Sequence, residues 1–106
     1  MVAIEFRYQK LEALNQVWRF LDNLRPETPK EKAMLSAMQD LASRFKRKQL
    51  TLEFKYSPSA TYKVSLKDHE AYFLEMYLCD ILNRLPLDYT RTVVYQYIGF
   101  INQKLA

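Results

Sequence analysis

Apolar residues recur along this chain with two different periods, and the changes of period divide it into elements. Residues 2–8 alternate between apolar and mostly charged side chains, which is the pattern of a short strand. Ile4, Tyr8 and Leu11 also fit one face of a helix, so a helical start stays open. The first segment is therefore predicted as a strand, with a helix as the alternative.

Two helices are predicted next. From about Gln9 apolar residues recur at helical spacing until Arg25, where the helix must end because a proline follows. A second helix begins at Thr28, a good N-cap residue, with Pro29 in the favoured first position. Its apolar stripe predicts a helix that runs to about Lys48.

The period then drops to two, which predicts a β-hairpin. Residues 50–56 and 61–66 both alternate, and Pro58 lies between them at a position that suits a type I turn. An isolated hairpin is marginal in water, so its apolar face should pack on the helices. In this register Lys55 lies directly opposite Lys63, an unfavourable pairing of like charges on the outer face.

Helical spacing returns after the hairpin. Ser65 or Asp68 can cap a third helix that reaches about Arg84, and Asp88 can cap a fourth that extends to Leu105. Both helices are apolar over more than one stripe. Such helices are buried on two sides, either within their own domain or against a partner.

The predicted fold class is α+β and mostly helical, in the order helix–helix–β-hairpin–helix–helix. A short N-terminal strand is able to join the hairpin. Apolar residues make up 49% of the chain, enough for one core, and no linker or low-complexity run divides the sequence. Residues 1–106 are therefore expected to form a single compact domain.

Positive charge is concentrated in residues 44–67, which hold seven basic residues and one acidic residue, a net of +6 in a chain of net charge +4. This concentration has two interpretations. The favoured one is a solvated face with lysines that guard an exposed strand edge. The alternative is a nucleic-acid-binding surface that neutralises phosphates. Its candidate residues are Arg44, Lys46, Arg47, Lys48, Lys55, Lys63 and Lys67.

No catalytic motif is complete. His69 and Glu70 begin a zinc-protease motif, but Phe73 occupies the position of its second histidine. Cys79 precedes Asp80, whose negative charge opposes thiolate formation, so a small buried hydrophobe is its expected role. A single glycine excludes a glycine-rich phosphate loop. No enzymatic activity, cofactor or metal is expected.

Aromatic residues make up 14% of the chain, more than one small core obviously needs. Aromatic side chains are enriched at protein interfaces. We therefore expect a small non-catalytic binding or adaptor module that contacts a protein partner or forms a homodimer through helices 3 and 4. The candidate interface residues are Tyr72, Tyr77, Tyr89, Tyr95 and Tyr97.

The expected location is the cytoplasm. One cysteine cannot form an intrachain disulfide, which favours a reducing compartment. The longest apolar-rich run contains acidic residues and is too short to span a bilayer, so no membrane partner is expected.

Overall fold

The computed structural model describes residues 1–54 and 60–106, and it confirms a mostly helical α+β fold. Helices pack on one side of a small antiparallel sheet. In chain order the elements are β1 (Val2–Phe6), α1 (Tyr8–Asn15), a 3₁₀ segment (Gln16–Asn23), α2 (Pro29–Glu53), β2 (Tyr62–Leu66), α3 (Asp68–Leu82) and α4 (Tyr89–Leu105).

The sheet pairs the N-terminal strand with the second arm of the predicted hairpin. β1 and β2 run antiparallel, with Val2 opposite Leu66 and Phe6 opposite Tyr62. Both strands are where the alternating pattern predicts them. The inward residues of β1 are buried and its outward residues are exposed, as period-two patterning requires.

The first arm of the predicted hairpin requires a correction. Residues 50–53 continue α2 instead of starting a strand, so β2 takes β1 as its partner. The physical reason is burial, because Leu52 lies two helical turns after Phe45 and continues the same buried stripe. Residues 55–56 and the proposed turn at Pro58 lie outside the described residues.

The first predicted helix is divided at Asn15. Its α-helical part ends there and the chain continues as a tighter 3₁₀ segment, which is uncommon at this length. The side-chain Nδ2 of Asn15 donates to the Phe45 carbonyl at 3.3 Å and to Gln49 Oε1 at 2.6 Å. Its Oδ1 accepts from Trp18 Nε1 at 2.9 Å. These bonds attach the junction between α1 and the 3₁₀ segment to α2.

A continuous chain of aromatic rings crosses the core. Tyr77 stacks on Trp18 with centroids 5.9 Å apart, and Trp18 meets Phe45 edge-on at 5.7 Å. Phe45 then contacts Phe6 at 5.7 Å, and Phe6 contacts Tyr97 at 4.7 Å. This aromatic chain joins α3, the 3₁₀ segment, α2, β1 and α4.

Side chains from helices occupy both outer edges of the sheet. In an antiparallel pair every second residue directs its backbone polar groups away from the partner strand. The Tyr97 hydroxyl donates to the outward carbonyl of Glu5 at 2.8 Å. On the other edge Arg44 Nη2 donates to the Ser65 carbonyl at 2.8 Å. These contacts hinder the addition of a foreign strand.

Two helix starts are capped as the sequence predicts. Thr28 Oγ1 accepts from the Glu31 amide at 3.1 Å at the start of α2. Asp88 Oδ1 accepts from the Thr90 amide at 3.0 Å at the start of α4. Each cap satisfies a backbone donor that has no partner within the helix.

One cluster of buried apolar side chains extends through every element. The radius of gyration is 13.5 Å, close to the value of about 13 Å for a compact domain of this length. Among the described helices, none combines the length and the apolar character needed to cross a membrane.

The aromatic chain carries a first prediction. The Tyr77 hydroxyl donates to the buried Val17 carbonyl at 2.6 Å. Tyr77→Phe leaves that carbonyl without its partner and should lower the free energy of unfolding by about 1–3 kcal/mol. Urea denaturation followed by tryptophan fluorescence measures this loss.

The matched control is Tyr72→Phe, because Tyr72 is 49% exposed. It should change the free energy of unfolding by less than about 0.5 kcal/mol. Equal losses in the two variants would contradict a structural role for the Tyr77 hydroxyl.

Candidate functional site

The outer face of α4 is an exposed helix surface without formal charge. α4 buries Val93, Val94, Tyr97 and Ile101 against the domain, so the side chains on the opposite side point to solvent. We call this surface the outer α4 face. Its exposed residues are Thr92, Tyr95, Gln96, Gly99, Asn102 and Gln103. α4 also exposes Tyr89 in its first turn and the charged Lys104, which lies about 140° around the helix from Gly99.

Tyr95 is the main apolar feature of the outer α4 face, with 70% of its surface exposed. Leu87, in the turn before α4, is 89% exposed. Both line a shallow concavity of about 720 Å³, whose other lining residues are Leu82, Asp88, Arg91, Thr92 and Gln96. The α3–α4 turn therefore extends the outer α4 face with apolar surface from Leu87, beside the charged residues Asp88 and Arg91.

Gly99 lies near the middle of the outer α4 face and is the only glycine in the chain. Its φ is not positive, so the backbone does not require a glycine. Beyond its chain neighbours and the local helix backbone, an added Cβ would meet no described atom within 4 Å. Glycine in a helix interior costs roughly 1 kcal/mol relative to alanine. Nothing in the described part of the chain explains that cost.

The five predicted interface tyrosines fall into two groups. Tyr72, Tyr89 and Tyr95 are about half or more exposed, and they remain candidates for partner contact. Tyr77 and Tyr97 are only 1% and 7% exposed. Their assignment to an interface is wrong, because their rings belong to the aromatic chain of the core.

The two buried tyrosines act as hydrogen-bond donors inside the domain. Desolvation raises the pKa of Tyr97 to about 12, and burial also raises the pKa of Tyr77. Both hydroxyls therefore stay protonated at neutral pH. They donate to the carbonyls of Glu5 and Val17, which explains why tyrosine occupies these core positions.

Arg44, the first of the basic candidates, is committed to the fold. Its Nη1 forms an ion pair with Glu70 Oε2 at 2.7 Å. The other Glu70 oxygen accepts from the Lys67 amide at 2.8 Å. Lys67 is the N-cap residue of α3, so neither Ser65 nor Asp68 caps this helix as the sequence suggested. The Arg44–Glu70 pair therefore attaches α2 to the junction between β2 and α3.

Lys63 is also paired. Its ammonium group lies 3.5 Å from Glu5 Oε1, directly across the sheet register. The predicted pairing of Lys63 with Lys55 required a strand that begins at residue 50. Residues 50–53 are helical, and Lys55 lies outside the described residues. In place of two like charges, the outer face of the sheet carries an opposite pair.

The remaining basic candidates differ in direction and in exposure. Lys46, Arg47 and Lys48 are consecutive residues of α2, so they point in directions about 100° apart. Lys46 and Arg47 are exposed, whereas Lys48 is half-buried. Lys67 is exposed at the start of α3. Arg44 and the Lys67 amide share the Glu70 carboxylate, and a common surface for the seven candidates stays a prediction.

Cys79 is exposed on the outer side of α3, so its expected burial is wrong. Helical geometry explains the difference, since Cys79 follows exposed Tyr72 by two turns. Partial desolvation and the charges of Glu75 and Asp80 raise the pKa of its thiol, which disfavours the thiolate. Residues 1–54 and 60–106 contain no cluster of three or more possible metal ligands.

A second concavity of about 410 Å³ lies between the start of α2 and the end of α3. Leu24, Met34 and Met76 supply apolar surface, while Glu31 and Asp80 contribute negative charge. Basic side chains also line it, so its charge is mixed. It has no group of residues that selects one kind of ligand.

Comparison of the chain with protein-family models, with curated proteins and with solved structures finds no match. Sequence reasoning named helices 3 and 4 and Tyr95 as an interface, but it missed the uncharged polar residues and Gly99 that complete the outer α4 face. Its signal is the absence of charge at helical spacing, together with a lone glycine at mid-helix.

The ion pairs carry a second prediction. Arg44→Met leaves the Glu70 carboxylate, whose side chain is 11% exposed, without its cation. The free energy of unfolding should fall by about 2–3 kcal/mol, less than for a fully buried pair because water reaches part of Arg44. Chemical denaturation near neutral pH measures the effect.

Lys63→Met is the matched control, because both side chains of the Lys63–Glu5 pair are more than half exposed. Such a pair contributes about 0–1 kcal/mol. If Lys63→Met were as destabilising as Arg44→Met, the structural role assigned to the Arg44–Glu70 pair would be incorrect.

Proposed function

We propose that this protein is a small non-catalytic binding module that contacts another protein through the outer α4 face. The observation that carries the proposal is an uncharged, solvent-facing helix surface with Tyr95 70% exposed at its edge. The cytoplasm is the proposed location, because the exposed thiol of Cys79 is compatible with a reducing compartment.

The chemistry of the outer α4 face supports this proposal. Interface centres are depleted of charged residues and enriched in tyrosine, since burying a charge costs more than burying an amide. Gln96 and Gln103 can donate and accept hydrogen bonds without that cost. The neighbouring Leu87 adds apolar area that gains from removal of water.

Site-specific photo-crosslinking tests the proposal in cells that produce the protein. A photoreactive phenylalanine analogue replaces Tyr95 on the outer α4 face, and in a separate variant it replaces the exposed Ala33 on α2. The probe at 95 should give a discrete adduct of defined mass, whereas the probe at 33 should not. Mass spectrometry identifies the second protein in the adduct.

Adducts at 95 that match those at 33 in pattern and yield would indicate random collision and contradict the proposal. The absence of any adduct at 95 would contradict it as well. Tyr95→Ala provides a further check, because it should reduce co-purification of the partner identified by the crosslink.

Nucleic-acid binding is the second candidate function. It is favoured by Lys46 and Arg47, which are exposed and have no ion pair with any described acidic group. Phe54, 90% exposed, follows Arg47 by two helical turns and offers a ring for base stacking. The structural commitments of Arg44 and Lys63 weaken this candidate.

Fluorescence anisotropy with labelled single-stranded and duplex oligonucleotides tests this second function at two salt concentrations. A phosphate-binding α2 end predicts that Lys46→Glu with Arg47→Glu abolishes binding and its salt dependence. Lys30→Glu with Lys32→Glu makes the same change in net charge at the other end of α2. Equal effects of the two double variants would indicate non-specific attraction only.

A further inference from the structure

We propose that the occupant of the outer α4 face is a second copy of this chain, paired antiparallel with the crossing point at Gly99. This inference rests on the proposed function and names its partner. In this arrangement the two copies form a closed, two-fold symmetric homodimer, in which the same surface of each copy is buried.

The distribution of charge is the first argument, because it places self-pairing at the outer α4 face. Each copy carries a net charge of +4, so two copies repel one another over most approaches. The outer α4 face has no formal charge of its own, which makes it a surface where two like-charged copies can meet. A symmetric contact centred on the C-terminal part of α2 would instead bring Lys46 and Arg47 close to their own counterparts.

Gly99 is the second argument. Apart from its chain neighbours and the local helix backbone, no described atom lies within 4 Å of an added Cβ, so the isolated domain has open space at this position. A glycine in such a place allows another backbone to approach closely. In a two-fold pair the two Gly99 residues meet at the axis, where space is most restricted.

Hydrogen-bonding complementarity is the third argument and selects the antiparallel orientation. With a two-fold axis at Gly99, Tyr95 lies beside Asn102 of the second copy, and Gln96 lies beside Gln103 of the second copy. Asn102 Nδ2 already donates to Glu75 Oε1 at 3.1 Å, so its own oxygen remains to accept from a tyrosine hydroxyl. Each contact occurs twice in the dimer.

The size of the surface sets the expected strength. A helix of 17 residues presents a strip roughly 25 Å long and 10 Å wide. Stable complexes bury about 800 Å² on each partner, so α4 and its preceding turn form a small interface. We therefore expect a weak dimer in exchange with monomer, with dissociation in the micromolar to millimolar range.

Sedimentation velocity over a wide range of protein concentrations tests the inference with Gly99→Gln. Glutamine is a good helix former and is uncharged, so it blocks the close approach without disrupting the monomer. Wild type should shift from monomer to dimer as concentration rises. Gly99→Gln should weaken the dimer by at least about tenfold, corresponding to about 1.4 kcal/mol. The thermal midpoint of the diluted variant should be unchanged or higher.

Ala33→Gln is the matched control, since it places the same side chain on the exposed side of α2. It should dimerise as wild type does. A Gly99→Gln variant that dimerises like wild type would overturn the inference. A wild-type chain that stays monomeric at the highest concentration would also overturn it.

The orientation has its own test in the double variant Gln96→Lys with Gln103→Glu. In the antiparallel dimer each new lysine lies beside a new glutamate of the second copy, so association should tighten and become salt-sensitive. In a parallel dimer, like charges would face each other and association would weaken, which would contradict the proposed arrangement.

The photo-crosslink distinguishes failure of this inference from failure of the proposed function. An adduct from position 95 with a different protein, together with a monomeric wild type, overturns the dimer and retains the binding module. The loss of both the adduct and the dimer overturns both proposals. An adduct with twice the monomer mass supports both.

Discussion

The aromatic chain from Tyr77 to Tyr97 is the constraint on which the rest of this structure depends. Its rings come from four helical segments and one strand, with successive centroids 4.7–5.9 Å apart. Such contacts restrict orientation as well as distance, because aromatic rings favour stacked and edge-on geometries. The hydroxyls at the two ends of the chain then fix the carbonyls of Val17 and Glu5. Packing and hydrogen bonding thereby hold α4 against the sheet and set which side of α4 faces solvent.

Much of the fold follows from local sequence patterns. The main wrong prediction, a strand that begins at residue 50, depends on tertiary contacts that local patterns do not show. Alternation identifies both strands, and cap chemistry identifies the starts at Thr28 and Asp88. Residues 50–53 also alternate, yet they are helical because Leu52 extends a buried stripe and Gln49 is bonded to Asn15. Periodicity over four residues cannot separate these two outcomes, since tertiary contacts decide between them.

The candidate site was less predictable than the fold for a physical reason. Charge in sequence does not show whether a cation is free, and Arg44 and Lys63 both serve ion pairs with residues distant in the chain. High aromatic content likewise does not separate core from interface, and the aromatic chain accounts for five of the fifteen aromatic rings. The outer α4 face becomes visible only when burial shows which side of α4 points outward. The outer α4 face is then a candidate interface because its exposed residues carry no formal charge and Gly99 has no side chain.

A dilution series of amide ¹H–¹⁵N NMR spectra tests the central claim most directly, because it locates any contact surface without altering the protein. The central claim is that the outer α4 face is the contact surface and that the second copy occupies it. The account predicts that peaks of residues 92–103 and of Leu87 shift progressively as concentration rises, while peaks of α2 stay fixed. Spectra that do not change up to millimolar concentration, or shifts centred on the end of α2, would contradict it.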